Sequence, residues 1–301
     1  MNAFAVSSAV LLLASTLAGQ EGPVVVFSGW NYKQTRTNWD IYRLMPDGAA
    51  KALVNSRASE VYPFPFPNQR AFGYLLETSG TERRAVFKYN LDSGASTDTG
   101  IIIKANSTCQ ASPDGRKIAC ADAFPSYNEI VLFDLETKVR TQLTSFKTDC
   151  LDPSWSPDGS NLVYWLGAAS VRVGNEQKPR GNHLVIYNLE TKQHRLLTKA
   201  PNAYDAYPRW SPNGEWICFH KKEKGWNIWM IRPDGAGLAQ LTTGSRESTH
   251  PSWSPDSRLV YFQSYRSDKS FDVWAVDIVN RALTQFTQTN TMDEHQPILI
   301  K

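Results

Sequence analysis

The sequence predicts an all-β, six-bladed β-propeller, on the strength of a recurring motif, a constant strand pattern after it, and two complementary chain ends. The motif is clearest in the segments 153–159 (PSWSPDG), 208–214 (PRWSPNG) and 251–257 (PSWSPDS), and it recurs in degraded form at 63–70 and 109–115. Its second proline falls at 67, 113, 157, 212 and 255, which gives spacings of 43 to 55 residues. A period of this size predicts an array of supersecondary units that bury their apolar faces against one another.

The segments after each motif have the composition of short strands. One unit contains the runs 215–219 and 227–231, a turn at 233–235 and an ending at Leu241-Thr242. Such runs are rich in Val, Ile, Trp and Tyr and are bounded by Gly, Pro, Asp and Asn, which favours strands over helices. Within the motif, proline presets φ for a type I turn and glycine follows it, so the first two strands form a hairpin.

Four antiparallel strands in about 45 residues are typical of a propeller blade. The motif tryptophans Trp155, Trp210 and Trp253 recur on the innermost strand of their units. We expect them to fill the space between neighbouring blades, because a large aromatic side chain contributes much apolar area to such a contact.

The two chain ends complete each other. Residues 24–56 supply three strands but lack the innermost one, and residues 293–300 read as an innermost strand without its hairpin partner. Pro297 stands where Pro208 and Pro251 stand in their units. We therefore expect the C-terminal strand to join the N-terminal blade and to close the ring, which removes free sheet edges. The predicted blades are 24–56 plus 293–301, 60–100, 106–145, 147–199, 201–243 and 245–288, all within one domain at 24–301.

Composition and the N-terminus indicate an exported chain. The apolar segment within residues 3–18 is too short to span a bilayer, and it ends in Thr16-Leu17-Ala18, a pattern suited to signal peptidase. Residues 1–18 are therefore predicted to be a signal peptide, although they contain no Lys or Arg; a frayed apolar N-terminus is the alternative. The mature chain has no predicted membrane segment, and a formal charge of +3 does not indicate a nucleic-acid partner.

The four cysteines have no metal-binding spacing. Cys120 and Cys218 fall in second strands and are interpreted as small core residues. Cys109 and Cys150 lie near the inner edges of neighbouring blades, so a disulfide between them is one alternative in an oxidising compartment and two free thiols are the other.

No catalytic motif is present: the chain has neither a Gly-x-Ser-x-Gly elbow nor His-Glu-x-x-His, nor a phosphate-binding loop. We predict no catalytic residue and no cofactor. His250 and His295 precede the inner strands of adjacent predicted blades and are the only candidates for a metal site. The alternative is that they are exposed loop histidines.

Charge is predicted to concentrate on one face of the propeller. The loops that lead into the innermost strands are acidic, and the loops between the second and third strands are basic, and both open at the same end. The long insertion 168–182 belongs to this face, which makes it a candidate binding surface. The predicted partner-binding residues are Glu60, Asp149, Asp205, Glu247, Glu294, Arg172, Lys178, Arg180, Lys221 and Lys222. The alternative is that the acidic residues cap turns between blades.

The Trp-Ser-Pro-Asp-Gly copies, the strands at 40–42, 227–229 and 272–274 and the Leu-Thr endings resemble the TolB family of propellers with WD40-like (PD40) repeats. The resemblance covers residues 24–301. It implies a periplasmic platform for protein binding in the Tol–Pal system of the cell envelope, where a lipoprotein docks over the channel mouth. TolB carries an α/β domain of about 150 residues before its propeller, whereas here we expect the propeller to begin directly after the predicted signal peptide.

Two functions remain open. The first is a secreted or periplasmic, monomeric propeller that binds an envelope protein through its charged channel-mouth face. The second is a metal-dependent carbohydrate-active enzyme that resembles oligogalacturonate lyase, with its site near His250 and His295. A structural propeller without a partner is a third, simpler hypothesis.

Overall fold

A computed structural model describes residues 24–31, 38–77, 80–104, 108–244, 247–265, 270–288 and 292–300. The predicted signal peptide at 1–18 lies outside these residues. All regular structure within them is β, and none of the described residues is helical. The strands form sheets that follow one another along the chain, and all described pairings but one are antiparallel.

Four of the sheets have four strands each. Sheet A consists of β26 (Met292–Ile300), β1 (Val24–Asn31), β2 (Asp40–Leu44) and β3 (Ala50–Val54). Sheet B consists of β4 (Ser59–Pro65), β5 (Ala71–Glu77), β6 (Arg84–Asn90) and β7 (Ser96–Ile103). Sheet C consists of β8 (Cys109–Ala111), β9 (Lys117–Phe124), β10 (Tyr127–Asp134) and β11 (Arg140–Gln142). Sheet E consists of β22 (Ser248–Trp253), β23 (Leu259–Tyr265), β24 (Phe271–Asp277) and β25 (Leu283–Gln285).

Sheet D has eight strands in two halves. Its first half consists of β12 (Cys150–Trp155), β13 (Asn161–Leu166), β16 (Gly181–Asn188) and β17 (His194–Leu196). Its second half consists of β18 (Ala203–Trp210), β19 (Ile217–Lys222), β20 (Trp226–Ile231) and β21 (Ala239–Gln240). A separate hairpin lies between β13 and β16 and consists of β14 (Arg172–Val173) and β15 (Glu176–Gln177).

The number of separate four-stranded sheets is thus four, where the sequence predicts six blades. The difference has a local cause, because β16 and β18 pair in parallel over two residues and join the two halves of sheet D. Gly181 permits this approach: its φ is 114°, and a Cβ at this position would lie 2.4 Å from the carbonyl oxygen of Ala203.

The first strand of each four-stranded unit lies beside the first strands of the units before and after it. These contacts join β26 to β4, β4 to β8, β8 to β12, β12 to β18, β18 to β22 and β22 to β26. The strand β26 also pairs antiparallel with β1, with Val24 opposite Ile300 and Asn31 opposite Met292. The first strands of successive units therefore lie beside one another.

Apolar side chains pack between successive units. Residues of sheets B and C share one cluster that includes Phe64, Leu75 and Ile118, and residues of sheets A and E share another that includes Phe27 and Tyr261. The predicted role of the motif tryptophans is confirmed, because each packs in an apolar cluster that two neighbouring units share. The Trp155 indole donates to the carbonyl of Gln110 at 3.2 Å and the Trp253 indole to that of Arg209 at 2.9 Å, each in the preceding unit.

Trp210 differs from the other two tryptophans only in its hydrogen bond, because its indole donates to the carbonyl of Gly214 in its own turn. The turn itself is closed by the motif serine and aspartate. At Ser156 the hydroxyl accepts the amide of Asn161 at 2.9 Å, and Asp158 accepts the amide of Ser160 at 3.0 Å. The hydrogen bond from Ser156 lowers the pKa of Asp158.

Five of the first strands carry a bulge immediately before a proline. The residue at each bulge has a left-handed φ of 52° to 55°, and these residues are Tyr62, Asp152, Tyr207, His250 and Gln296. Proline disfavours the right-handed helical region for the residue before it, and a bulge re-aims one side chain while it bends the strand. The shared bulge places Gln296 in the same position as its counterparts, as the alignment of Pro297 predicts.

The cysteine pairing differs from the alternative considered above. Cys109 bonds with Cys120, and these two residues stand directly opposite each other on β8 and β9. Cys150 is free and buried, so a Cys109–Cys150 disulfide is wrong. Cys120 is a buried core residue, as expected, and it is disulfide-bonded. Cys218 is free and buried, as expected.

Candidate functional site

The ends of the sheets differ, and we call them the turn face and the loop face. The turn face carries the Ser-Pro-Asp-Gly turns and the turns between third and fourth strands. The loop face carries the connections between second and third strands and the segments that lead into the first strands. All ten predicted partner-binding residues belong to segments of the loop-face connections or to the strand ends beside them, and their exposure varies widely.

Three of the five predicted acidic residues are buried. Glu60, Asp205 and Glu294 have exposed fractions of 0%, 1% and 0%. Asp149 is half-buried, where it accepts hydrogen bonds from the backbone and side-chain amides of Asn128, and Glu247 is exposed. Only Asp149 and Glu247 therefore offer a carboxylate to a partner at the surface.

The buried carboxylates belong to contacts between successive units. The hydroxyl of Thr287 accepts the amide of Val273 at 2.8 Å and donates to Glu294 at 3.1 Å. Thr198 repeats this arrangement, since its hydroxyl accepts the amide of Leu184 at 3.0 Å and hydrogen-bonds Asp205. At Thr198 and Thr287 the endings thus tie one unit to the first strand of the next, in agreement with the alternative that the acidic residues cap turns between blades.

Burial changes the ionisation of two of these carboxylates. Burial raises the pKa of Glu60, whose one oxygen accepts the amide of Ser56 at 3.1 Å while the other has no hydrogen-bond partner among the described residues. Burial likewise raises the pKa of Asp205, and the ammonium of Lys221 at 3.4 Å opposes that shift. The ionisation of both carboxylates therefore depends on how the sheets pack.

The basic residues divide in the same way. Lys178 and Lys221 are buried, and Arg172, Arg180 and Lys222 are exposed. The Lys178 ammonium donates to the carbonyls of Pro179 at 2.9 Å and Gly181 at 2.7 Å, and burial lowers its pKa to about 8. Lys178 therefore anchors the insertion within the chain.

The insertion packs on the outer side of sheet D. Val173 of the β14–β15 hairpin is buried in a cluster with Tyr187 and Leu196, and β14 lies against the outer strand β17. Arg172 is consequently displaced from the first strands, although its loop begins and ends on the loop face.

The sequence analysis did not identify a group of aromatic rings on the loop face, which we call the aromatic arc. One part joins Tyr204 to Trp226 (ring centroids 6.4 Å apart), Trp226 to His220 (4.7 Å), and Tyr207 to His220 (4.9 Å) and His250 (4.0 Å). The other part places His295 between Trp39 at 4.8 Å and Phe271 at 4.7 Å. Tyr204 is 47% exposed, and most of the other rings are half-buried.

A polar clasp lies beside this arc. Asp152 accepts the amide and hydroxyl of Thr108 at 3.2 Å and 3.1 Å, and its second oxygen accepts the indole of Trp165 at 2.7 Å. Arg209 reaches the same Thr108 hydroxyl at 3.1 Å. Three units, namely sheet C and the two halves of sheet D, are therefore joined across their first strands. The prolines of the first strands could have located this region from the sequence, because each bulge residue stands immediately before one of them.

The histidines are not exposed loop residues, so that alternative is wrong. His250 and His295 lie within first strands and are half-buried, and His220 is buried. Burial lowers the pKa of His220 to about 3 and lowers that of His250. The backbone amide of His250 donates to Nδ1 of His220 at 3.3 Å, and Nε2 of His295 lies 3.2 Å from Asp293. Within the described ranges, no three His, Cys, Asp or Glu residues form a group suited to a metal ion.

Taken together, the all-β sheets and their neighbouring first strands are those of a β-propeller arrangement, and the chain is similar to TolB proteins. Protein TolB homolog of Chlorobium chlorochromatii is 34% identical over 138 residues, which are 46% of this chain and 29% of that protein. Tol-Pal system protein TolB of Anaeromyxobacter dehalogenans is 28% identical over 126 residues, or 42% of this chain and 26% of that protein. Dipeptidyl-peptidase 5 of Porphyromonas gingivalis is 29% identical over 148 residues, or 46% of this chain and 21% of that protein.

Solved structures agree on the fold. TolB from Acinetobacter baumannii superposes with a TM-score of 0.78 at 16% identity over 94% of this chain and 69% of that one. A putative TolB from Agrobacterium tumefaciens gives 0.66 at 17% identity over 91% of each chain. Oligogalacturonate lyase in complex with manganese gives 0.53 at 12% identity over 87% of this chain and 72% of that one. The fold is thus a TolB-like β-propeller.

These similarities have limits that bear on function. No family model matches the chain. The chain spans 21%, 55% and 26% of the lengths of three curated relatives that it matches, among them Dipeptidyl-peptidase 5. Among the described residues, no helix has the length and apolar character needed to cross a membrane.

Proposed function

We propose that this chain is a protein-interaction propeller of the bacterial cell envelope, exported to the periplasm or beyond, which acts as a monomer and binds an envelope protein or lipoprotein at its loop face. The relatives named Tol-Pal system protein TolB support this role. The observation that carries it is the aromatic arc, because half-exposed Trp and Tyr rings are enriched where proteins bind each other.

The binding surface in this proposal combines the aromatic arc with exposed charges. Of the ten residues that the sequence indicates, Lys222, Glu247, Asp149 and Arg180 contact the partner directly, with Arg172 at the periphery. Glu60, Asp205, Glu294, Lys178 and Lys221 shape the surface from below, because buried side chains cannot reach a partner. Lys222 lies over the ring of Trp226 at 5.5 Å, so one contact presents both a cation and an aromatic face.

The architecture that presents this surface is, in our proposal, a closed ring of six blades. The two halves of sheet D count as separate blades that a short parallel pairing joins, and β26 closes the ring beside β1. The contacts among all six first strands and the apolar cluster shared by sheets A and E support this arrangement.

Crosslinking capture from the envelope of the source organism tests the function. The captured protein is identified by mass spectrometry, purified, and titrated against the wild-type chain and two double variants. The loop-face variant is Tyr204→Ala with Lys222→Glu, and we expect it to bind at least tenfold more weakly, as for an interface hot spot. The matched turn-face control is Val279→Ala with Lys192→Glu, at residues that are also exposed.

The control variant is expected to bind as the wild type does, and both variants are expected to retain the wild-type melting temperature. Equal binding by the two double variants would exclude the loop face as the docking surface. A captured protein that binds neither the wild type nor the variants after purification would exclude it as a direct partner.

A further inference from the structure

A cleft between the two halves of sheet D has the size of a ligand site. Its volume is about 570 Å³, within the range of small-molecule sites, and it lies between the last strand of the first half and the second and third strands of the second half. Its walls are largely apolar and include Leu196, Leu197, Phe219, Ile231 and Leu238.

Two departures from the repeat meet at this cleft. The parallel pairing of Gly181 with Ala203 joins the same two halves at the loop-face end. The inserted hairpin places Glu176 in the cleft wall, where it pairs with Lys199 at 2.6 Å. Features that the other units lack in the described structure are thus gathered at one place, which favours a specific role over a simple packing gap.

The inner end of the cleft holds a carboxylate whose cationic partner is shared with a second carboxylate. Asp205 lines it, with an exposed fraction of 1%, and the ammonium of Lys221 lies 3.4 Å from it. The same ammonium lies 3.6 Å from Glu223, whose side chain is 53% exposed. Two carboxylates therefore share one cation at long distances, and Lys221 can keep Glu223 as its partner if another cation approaches Asp205.

The remaining charged groups of the cleft are balanced. Glu176 and Lys199 pair with each other at the mouth. Arg195 donates to the carbonyl of Pro233, and Asp234 accepts the amide of Ala236. At the buried end, Asp205 shares the ammonium of Lys221 with Glu223, and the low dielectric there strengthens the attraction of Asp205 for a second cation.

We propose that this cleft binds a small amphipathic amine, with its apolar body against Leu197, Phe219 and Ile231 and its ammonium on Asp205. A carboxylate ligand would meet Asp205 with like charge, and an alcohol of the same shape would forgo the ion pair. The proposal is independent of partner binding at the loop face, because it rests on the space between the two halves of sheet D.

Isothermal titration with three probes of one shape tests the site: 4-phenylbutylamine, 4-phenylbutanol and 4-phenylbutyrate. We expect the amine to bind the wild-type chain at least tenfold more tightly than either of the others. Asp205→Asn keeps the shape and removes the charge, and it should reduce amine affinity at least tenfold. Equal binding of amine and butyrate, or no binding of the amine, would overturn the proposal.

A second variant does not depend on altering a buried residue. Leu238 is 51% exposed at the rim of the cleft, and Leu238→Trp should obstruct it and weaken amine binding at least fivefold. Leu283 is 52% exposed on the outer strand of sheet E and provides the matched control, Leu283→Trp, which should leave amine binding unchanged. Equal effects of the two tryptophans would show that the amine binds elsewhere.

Discussion

The threonine that ends a unit can stabilise the junction with the next unit, as Thr287 shows. The Thr287 hydroxyl is buried, accepts one backbone amide and donates to the buried carboxylate of Glu294. Its two bonds connect sheet E to the first strand of sheet A. Removal of this hydroxyl should destabilise the fold, because the amide of Val273 and the carboxylate of Glu294 would stay buried without these hydrogen bonds.

We expect Thr287→Val to destabilise the chain by about 1–3 kcal/mol, since valine keeps the shape and loses both hydrogen bonds. Thermal and urea unfolding of the wild type and the variant measure the difference. The control is Thr141→Val on β11, where the threonine is exposed. If both valine variants unfold alike, the hydroxyl of Thr287 does not stabilise the junction between the two sheets.

The motif aspartate gives a pH-dependent contribution of predictable sign. The pKa of Asp158 is lowered in the folded chain, chiefly by the Ser156 hydroxyl and then by the backbone amide of Ser160. Its contribution to stability is therefore present above the unfolded pKa of about 3.9, and it is lost as the pH falls through the folded pKa. Asn213, which occupies the same position in another turn, accepts an equivalent backbone amide at 3.1 Å without ionising.

We therefore expect Asp158→Asn to be slightly less stable than the wild type at pH 7 and to approach its stability as the pH falls below the unfolded pKa toward the lowered folded pKa of Asp158. The difference at pH 7 should stay below about 1 kcal/mol, because the carboxylate is exposed and solvent screens it. Urea unfolding from pH 7 to 3 measures both variants, with Glu190→Gln as the exposed control. A gap that widens as the pH falls would contradict the assigned sign.

The sequence analysis identified the acidic positions but not whether their side chains point to solvent or into the protein. Whether Glu294 points to solvent or to Thr287 depends on contact with the preceding sheet, which local pattern does not reveal. A signal was nevertheless present, because the acid follows the Leu-Thr threonine by the same interval in the pairs Thr198–Asp205 and Thr287–Glu294. A repeated interval between a hydroxyl and a carboxylate indicates a mutual contact more than a charged surface.

At the level of elements, the hairpin of β8 and β9 shows how register decides chemistry. The motif turn fixes the pairing, so Cys109 stands opposite Cys120, and the bond follows from that opposition. The sequence analysis assigned these residues to adjacent strands and still compared Cys109 with Cys150 in the next unit. Counting outward from the turn would have placed Cys109 and Cys120 face to face.

The disulfide closes a short loop of sequence separation 11, and on the chain-entropy model it should stabilise the fold by about 2–3 kcal/mol. We expect reductant to lower the melting temperature of the wild type and to leave that of Cys109→Ala/Cys120→Ala unchanged. Peptide mapping without reduction should recover the two cysteines in one crosslinked peptide. A crosslink from Cys109 to Cys150, or a reductant effect of equal size in the double variant, would refute the pairing.

At the level of the whole molecule, the repeat was sufficient to predict an all-β propeller and to place its motif turns, because short strands and their turns are encoded locally. The eight-stranded sheet was not predictable in this way. It depends on Gly181 approaching Ala203 across two units, a contact that no periodic pattern contains. The aromatic arc was not predicted for a similar reason, since its rings come from strands that are distant in sequence.

The proposed closure of the ring has a sharp topological consequence. Val24 and Ile300 stand opposite each other on antiparallel strands, so a short Gly-Ser linker between them should form a hairpin. We expect a circular permutant that carries this linker and starts at Thr137, in an exposed turn, to melt within about 5 °C of the wild type. The same cut without the linker divides the chain into two fragments, and β26 then stays covalently joined only to sheet E. The complex of these two fragments should unfold at lower temperature. A permutant that fails to fold, beside a cut and unlinked pair of fragments that folds normally, would show that the two terminal strands do not belong to one sheet.

Removal of 292–301 adds the complementary measurement, since it exposes Val25 and Phe27 along β1 and should broaden the unfolding transition.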